Sequence, residues 1–151
     1  MVCIANEHEG AGMKLSHLPV RTATGAFILN SGLSKRNLEG QPAEQMHGWA
    51  SSAIPGLGQI KPQVFVRLLS GTEIALGTAL LVPVVPSAVV GAAMAGLSVG
   101  LLALYLKTPG MRQEGSIRPT EQGIGLAKDV WLLGTGLTLL LDDLGDRRRS
   151  S

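Results

Sequence analysis

Charge, aromatic side chains and cysteine are all scarce in this sequence. Charged residues make up 16% of the chain and aromatic residues 3%, whereas an ordinary soluble domain has about 25% charged residues. The hydrophobic content of 45% argues against disorder, and a net charge of +2 is too small for a nucleic-acid footprint. The single cysteine, Cys3, excludes an intrachain disulfide, a redox pair and a multi-cysteine zinc site. No P-loop, dinucleotide fingerprint, HExxH spacing or serine–histidine–aspartate set is recognisable, so we expect no metal site and no nucleic-acid partner.

The longest stretch without a charged residue covers residues 74–106. A soluble helix keeps a polar face towards water, and it does not remain free of charge over this length. A single helix over these residues would be about 50 Å long, well beyond the roughly 30 Å of a bilayer's hydrocarbon core. Pro83 and Pro86 interrupt the stretch, and proline removes a helical hydrogen-bond donor. The stretch therefore predicts two membrane-spanning helices, 64–85 and 87–106.

Two further segments complete the predicted architecture. Residues 123–141 are long enough to span despite two charges, and residues 18–38 can span if the basic residues near both ends snorkel. The sequence thus predicts an all-α integral membrane protein, an antiparallel four-helix transmembrane bundle over residues 16–142. Tails are expected at 1–15 and 143–151, the second of them basic. Trp49 predicts a short interfacial helix at about 43–53, because tryptophan favours the headgroup level.

Small residues recur along the predicted third helix. Ala92, Gly96 and Gly100 repeat every four residues, and Gly91 and Ala95 form a parallel row. Helix association in lipid depends on close backbone packing, which such residues allow. We expect the Ala92, Gly96 and Gly100 row to pack inside the bundle; the alternative is a homo-oligomer seam through Gly96 and Gly100.

Charged residues inside the predicted spans suggest a buried polar cluster. At 1.5 Å per residue, Arg67 lies about 5 Å deep, Lys128 about 8 Å, Asp129 about 9 Å and Glu73 about 14 Å. We expect Glu73 to pair with Lys128 and Asp129 with Arg67, because an unpaired charge near the bilayer centre is costly. Arg21 joins the cluster only if the first helix begins earlier than residue 18.

This cluster has two interpretations. Intramembrane ionisable residues often mark proton or ion pathways, or a site for a quinone headgroup. The alternative is an interhelical salt-bridge network that fixes the helix register, and for Arg67 a snorkelling interfacial arginine is favoured. The residues by themselves fix no catalytic group and no cofactor.

Two segments resemble the DoxX family of small bacterial membrane proteins. The first is RLLSGTEIALGTALLVPVVP from Arg67, and the second is LLALYLKTPGMRQEGSIRPTEQGIGLAKDVWLLG from residue 101. Arg21, Gly25 and the GLSK stretch at 32–35 are similar to the start of the family's first helix. The resemblance covers roughly residues 18–142 and implies a four-helix multi-pass protein of the bacterial plasma membrane, with quinone as a candidate cofactor.

The expected function is that of an accessory or quinone-interacting subunit of a membrane redox complex, without catalytic activity of its own. A soluble redox protein is a candidate partner of such a subunit. The alternative is a non-catalytic scaffold or assembly factor that docks a soluble partner through the 111–121 loop, with Arg112 and Arg118, and a small permease is a third hypothesis. The arginine triplet at 147–149 favours cytoplasmic termini under the positive-inside rule.

Overall fold

The computed structural model describes residues 14–149, except for the side chains of residues 146, 147 and 149. Within that range the chain is helical and contains no β-strand. The helices are α1 (Leu18–Lys35), α2 (Gln41–Ala53), α3 (Pro62–Leu81), α4 (Ser87–Lys107), α5 (Ile124–Ala127) and α6 (Asp129–Arg149). Two short 3₁₀ turns, Leu15–His17 and Pro55–Gln59, precede α1 and α3. The all-α prediction is confirmed.

Prolines mark most of the helix boundaries. Pro19, Pro42 and Pro62 lie in the first turns of α1, α2 and α3, where the missing N–H costs nothing. Pro83 and Pro86 fall in the connection after α3, so α3 ends at Leu81 rather than at the predicted residue 85. The predicted break between the second and third long helices is therefore confirmed.

The other boundaries follow the sequence with local differences. α1 ends at Lys35, three residues before the predicted end, and the short helix predicted at about 43–53 is present as α2. The last segment is divided at Lys128 into α5 and α6, and α6 continues to Arg149. The first part of the expected basic tail therefore extends this helix.

Three segments of the described chain are long and apolar enough to cross a membrane. They are Pro62–Leu81, Ser87–Lys107 and Ile124–Gly145. α1 has 18 residues but is not among them, since it is less hydrophobic. The prediction of membrane-spanning helices is thus supported at the level of three helices.

The long helices associate in two close pairs, α1 with α3 and α4 with α6. In the first pair, a Cβ at Gly77 would lie 2.5 Å from Leu29 N. In the second, a Cβ at Gly91 would lie 2.7 Å from Gly136 O. Only glycine allows the two backbones to approach this closely, so these residues set the spacing inside each pair.

One cluster of buried apolar side chains joins the two pairs. It takes residues from α1, α3, α4 and α6: Ile28, Leu76, Leu80, Val90, Met94 and Leu139. Few contacts join α3 to α4 directly, so this cluster supplies much of the contact between the pairs.

The predicted packing row on α4 is wrong. Ala92 and Gly96 are exposed and Gly100 is partly exposed, and a Cβ at Gly96 or Gly100 would meet nothing within 4 Å. The neighbouring row of Gly91 and Ala95 packs against α6 instead. α4 is apolar on all sides, so the sequence pattern could not indicate which row faces a neighbour.

Candidate functional site

Glu73 forms a buried ion pair with Lys35. The Glu73 side chain lies on α3 and the residue is 5% exposed. Lys35 Nζ, at the end of α1, donates to Glu73 Oε2 over 2.9 Å and to Oε1 over 3.1 Å. The same ammonium donates to Ser31 Oγ over 2.6 Å, one helical turn earlier. A buried carboxylate is thus neutralised and hydrogen-bonded, which burial of a charge requires.

Close helix packing places this ion pair. A Cβ at Gly32 would lie 3.0 Å from Glu73 Cβ and 2.8 Å from Ile74 N, so α1 touches α3 at this level. Ser70 Oγ, one turn before Glu73, donates to Gly32 O over 2.7 Å. Glu73 therefore faces α1 and the basic residue that ends that helix.

The expected partners of Glu73 and Asp129 are wrong. Lys128 is exposed at the break between α5 and α6, and Arg67 is exposed on α3. Within residues 14–149, neither forms an ion pair with the expected acid. Depth along the membrane normal does not fix the direction of a side chain, so two residues at one depth can point towards different neighbouring helices.

Asp129 lies beside the Lys35–Glu73 pair on the wall of a cavity between the two helix pairs. It interacts electrostatically with both residues. The cavity, here called the central cavity, has a volume of about 340 Å³. Its lining comes from every helix: Phe27, Ile28, Ser31, Lys35, Met46, Trp49, Phe65, Leu69, Glu73, Leu97, Leu101, Leu104, Met111, Gln122, Gly125, Leu126, Asp129 and Leu132.

The central cavity is amphipathic. Most of its wall is aliphatic or aromatic, with Phe27, Trp49 and Phe65 as the aromatic members. Its charged groups are Lys35, Glu73 and Asp129, one cation and two carboxylates. Cavities from about 300 Å³ upward with apolar walls and a few converging polar groups are typical ligand sites. The cavity is therefore the candidate functional site.

Arg21 is buried near the start of α1, at the opposite end of the long helices from this site, and does not join it. The residue is 1% exposed, and within the described residues it makes no ion pair. Each of its five N–H groups instead has an acceptor: Leu80 O, Val85 O, Ser87 Oγ, Ala79 O and Val82 O, over 2.8 to 3.2 Å. Arg21 thus caps the carboxyl end of α3, where a cation is favoured by the helix dipole.

The sequence missed a second polar cluster beside Arg21. His17 Nδ1 is 2.9 Å from Ser87 Oγ, and His17 Nε2 is 2.7 Å from Asp142 Oδ2. Lys14 Nζ also donates to Asp142 Oδ2, over 2.8 Å. His17 precedes α1, Ser87 is the first residue of α4 and Asp142 lies in the C-terminal half of α6. They are far apart in the sequence, so no local spacing could reveal them.

This serine–histidine–aspartate chain corrects the expectation that no such set exists, but it does not form an accessible site. Ser87 is 3% exposed, and its hydroxyl also accepts a hydrogen bond from Arg21. It is not part of the central cavity. These hydrogen bonds connect the starts of α1 and α4 to the C-terminal half of α6.

Arg112 and Arg118 are both exposed on the connection after α4. This connection contains a tight hairpin, in which Gln113 N donates to Arg118 O over 2.9 Å and Arg112 pairs with Pro119. The Tyr105 hydroxyl donates to Ile117 O and holds the hairpin against α4. The two arginines are therefore accessible, and the docking of a partner through them stays a prediction.

No group of three or more histidine, cysteine, aspartate or glutamate side chains could hold a metal ion within residues 14–149. Comparisons of the chain with family models, with curated proteins and with solved structures give no match. The resemblance to the DoxX family therefore stays a prediction from the sequence.

Proposed function

We propose that this chain is a multi-pass integral membrane protein that binds a quinone ring in its central cavity. In this proposal α1, α3, α4 and α6 cross the plasma membrane of a bacterium as an antiparallel bundle with cytoplasmic termini. The chain acts as a DoxX-like accessory subunit of a membrane redox complex, beside a soluble or membrane-bound partner that carries the electrons. The observation that carries the proposal is the central cavity itself.

The walls of the cavity suit a flat apolar ring. Trp49 and Phe65 offer aromatic faces, and rings pack favourably in offset or edge-to-face arrangements. The long helices on either side are apolar towards lipid, so an isoprenoid tail attached to the ring would lie in hydrocarbon. An amphipathic ligand is therefore favoured over a freely water-soluble one.

The polar groups of the cavity suit the oxygens of a quinone. The Lys35 ammonium is engaged by Glu73 and Ser31, so it serves mainly to keep the glutamate in place. Asp129 makes no ion pair within 4 Å in the described part of the chain. In its protonated form it can donate a hydrogen bond to a ring carbonyl, and the Gln122 amide is a second donor on the wall.

The two tryptophans allow a direct binding test. Trp49 lines the cavity, whereas Trp131 is 72% exposed and does not. Quinones quench indole fluorescence at short range. In purified protein carrying Trp131→Phe, a short-chain quinone should therefore quench the remaining Trp49 saturably, whereas in Trp49→Phe protein the quenching of Trp131 should stay linear and weak.

Two substitutions of Asp129 then test the polar contact. Asp129→Leu removes the donor and should weaken quinone binding about tenfold, the effect of one lost hydrogen bond. Asp129→Asn keeps a donor at the same place and should bind nearly as well as the unmodified protein. Equal quenching of both tryptophans, or equal binding by the leucine and asparagine variants, would refute the proposed site.

A further inference from the structure

The connection after α4 forms a second concave surface, separate from the central cavity. This hairpin pocket has a volume of about 560 Å³. It is lined by Lys107, Thr108, Pro109, Gly110, Arg112, Gln113, Glu114, Gly115, Ser116 and Ile117. Lys107 is the last residue of α4, one of the three helices able to cross a membrane. If α4 spans the bilayer, the pocket lies at the level of the lipid headgroups.

The charge of the hairpin pocket favours an anion. Two cations, Lys107 and Arg112, line it against one acid, Glu114. Arg118 is exposed on the same hairpin and adds a third positive charge. Basic side chains just outside a membrane span attract the phosphate groups of acidic lipids.

Apolar side chains beside these cations favour a lipid over a free anion. Ile117 is 78% exposed although it lines the pocket, and Leu106, next to Lys107, is also exposed. The hydrogen bond from Tyr105 to Ile117 O holds this isoleucine beside the last turn of α4. A soluble phosphate would leave Ile117 in water, whereas the acyl chains of a lipid would cover it.

We propose that the hairpin pocket binds an anionic phospholipid, with its phosphate between Lys107 and Arg112 and its acyl chains against Ile117. This inference rests on the part of the proposed function that places α4 across a membrane, and it is independent of quinone binding. The lipid anchors the hairpin to one leaflet, at the end of the bundle where α2 and the central cavity also lie.

The test compares lipids and variants on the full chain purified in a neutral detergent. Phosphatidylglycerol, phosphatidylcholine and the water-soluble glycerol phosphate are each titrated while the thermal unfolding midpoint and the bound lipid are measured. Phosphatidylglycerol should raise the midpoint, and the other two should not. The double variant Lys107→Gln/Arg112→Gln should bind phosphatidylglycerol about 30-fold more weakly.

A matched double variant distinguishes a specific lipid site from non-specific electrostatic attraction. Arg36 and Lys61 are exposed cations near the same end of the bundle, outside the pocket. The double variant Arg36→Gln/Lys61→Gln removes the same charge and should bind phosphatidylglycerol almost as tightly as the unmodified protein. Ile117→Ser should weaken binding of the lipid, since it removes the apolar contact.

Three results would overturn the lipid assignment. They are equal stabilisation by the two phospholipids, equal stabilisation by glycerol phosphate, and equal losses in the two double variants. If the hairpin binds a soluble protein and not a lipid, the two phospholipids should have equal effects on the unfolding midpoint. If the protein stays in solution without detergent, its placement in a membrane is wrong. If it requires detergent but does not bind phosphatidylglycerol, only the lipid site is wrong.

Discussion

Replacement of Arg21 should destabilise the fold more than replacement of any exposed basic residue. Arg21→Met keeps a long apolar side chain but removes all five donors. The Ala79 carbonyl shows why they are needed, because its regular helical partner would be the N–H of residue 83. That residue is a proline and has no N–H. Arg21 supplies the missing donor from another helix.

The expected loss of stability in Arg21→Met follows from the carbonyl groups that lose a hydrogen-bond donor. Of the four carbonyls that Arg21 contacts, Val82 O also accepts a hydrogen bond from Val85 N. Ala79 O, Leu80 O and Val85 O are therefore the three that depend on Arg21. An unsatisfied buried acceptor costs about 1–3 kcal/mol. Loss of the cation at the helix end adds about 0.3–1 kcal/mol to the destabilisation. Methionine avoids the cost of burying a charge, which offsets part of the destabilisation. We therefore expect Arg21→Met to lower the free energy of unfolding by about 3 kcal/mol or more.

Two further substitutions separate the hydrogen bonds of Arg21 from its charge. Arg21→Lys keeps the charge but has at most three donors, so at least two acceptors are lost and the cost should be about 2 kcal/mol. Arg67→Met removes an exposed arginine from α3 and should cost about 0.5 kcal/mol or less. The free energies are measured by reversible unfolding in mixed detergent micelles. If Arg21→Met costs no more than Arg67→Met, Arg21 does not cap α3.

Other substitutions test the remaining contacts. For each variant, the midpoint and the free energy of unfolding are measured in mild detergent. Lys35→Met should cost about 3–5 kcal/mol because it leaves Glu73 buried and unpaired; Lys35→Met combined with Glu73→Leu should recover most of the loss, and no recovery would contradict the ion pair. Gly91→Leu should separate α4 from α6, while Gly96→Leu on the exposed face should change little; equal effects would contradict the assigned packing row. Gly123→Ala should disrupt the connection into α5, since its Cβ would overlap Met111 O, and an unchanged midpoint would contradict that contact.

The sequence predicted the long helices and α2, though not all of their ends, because the signals for helix formation are local. The charge-free stretch and the prolines at 83 and 86 predicted two helices with a tight break, and Trp49 with its flanking turn residues predicted α2. The end of α6 was not predicted. The charged residues after Leu141 are typical of a tail, but they extend an already formed helix.

The partners of the buried charges were less predictable. Rise per residue orders side chains by depth, but the direction of each side chain depends on how the helices rotate and tilt against one another. Gly32 decides that rotation for Glu73, because it brings α1 close enough for Lys35 to reach the carboxylate. For Arg21, the topology contained a usable signal. α1 begins beside the end of α3, and a helix that ends at a proline leaves carbonyls that need donors.

The glycine contacts have a mechanical consequence for the central cavity. The helix backbones are in direct contact at Gly77 in the α1–α3 pair and at Gly91 in the α4–α6 pair. Any displacement of one helix against its partner would therefore disrupt this close packing. Between the pairs, the cavity replaces part of the side-chain contact. The central cavity can therefore change its volume on binding a ligand by a movement of one helix pair relative to the other. Neither pair has to change its internal packing.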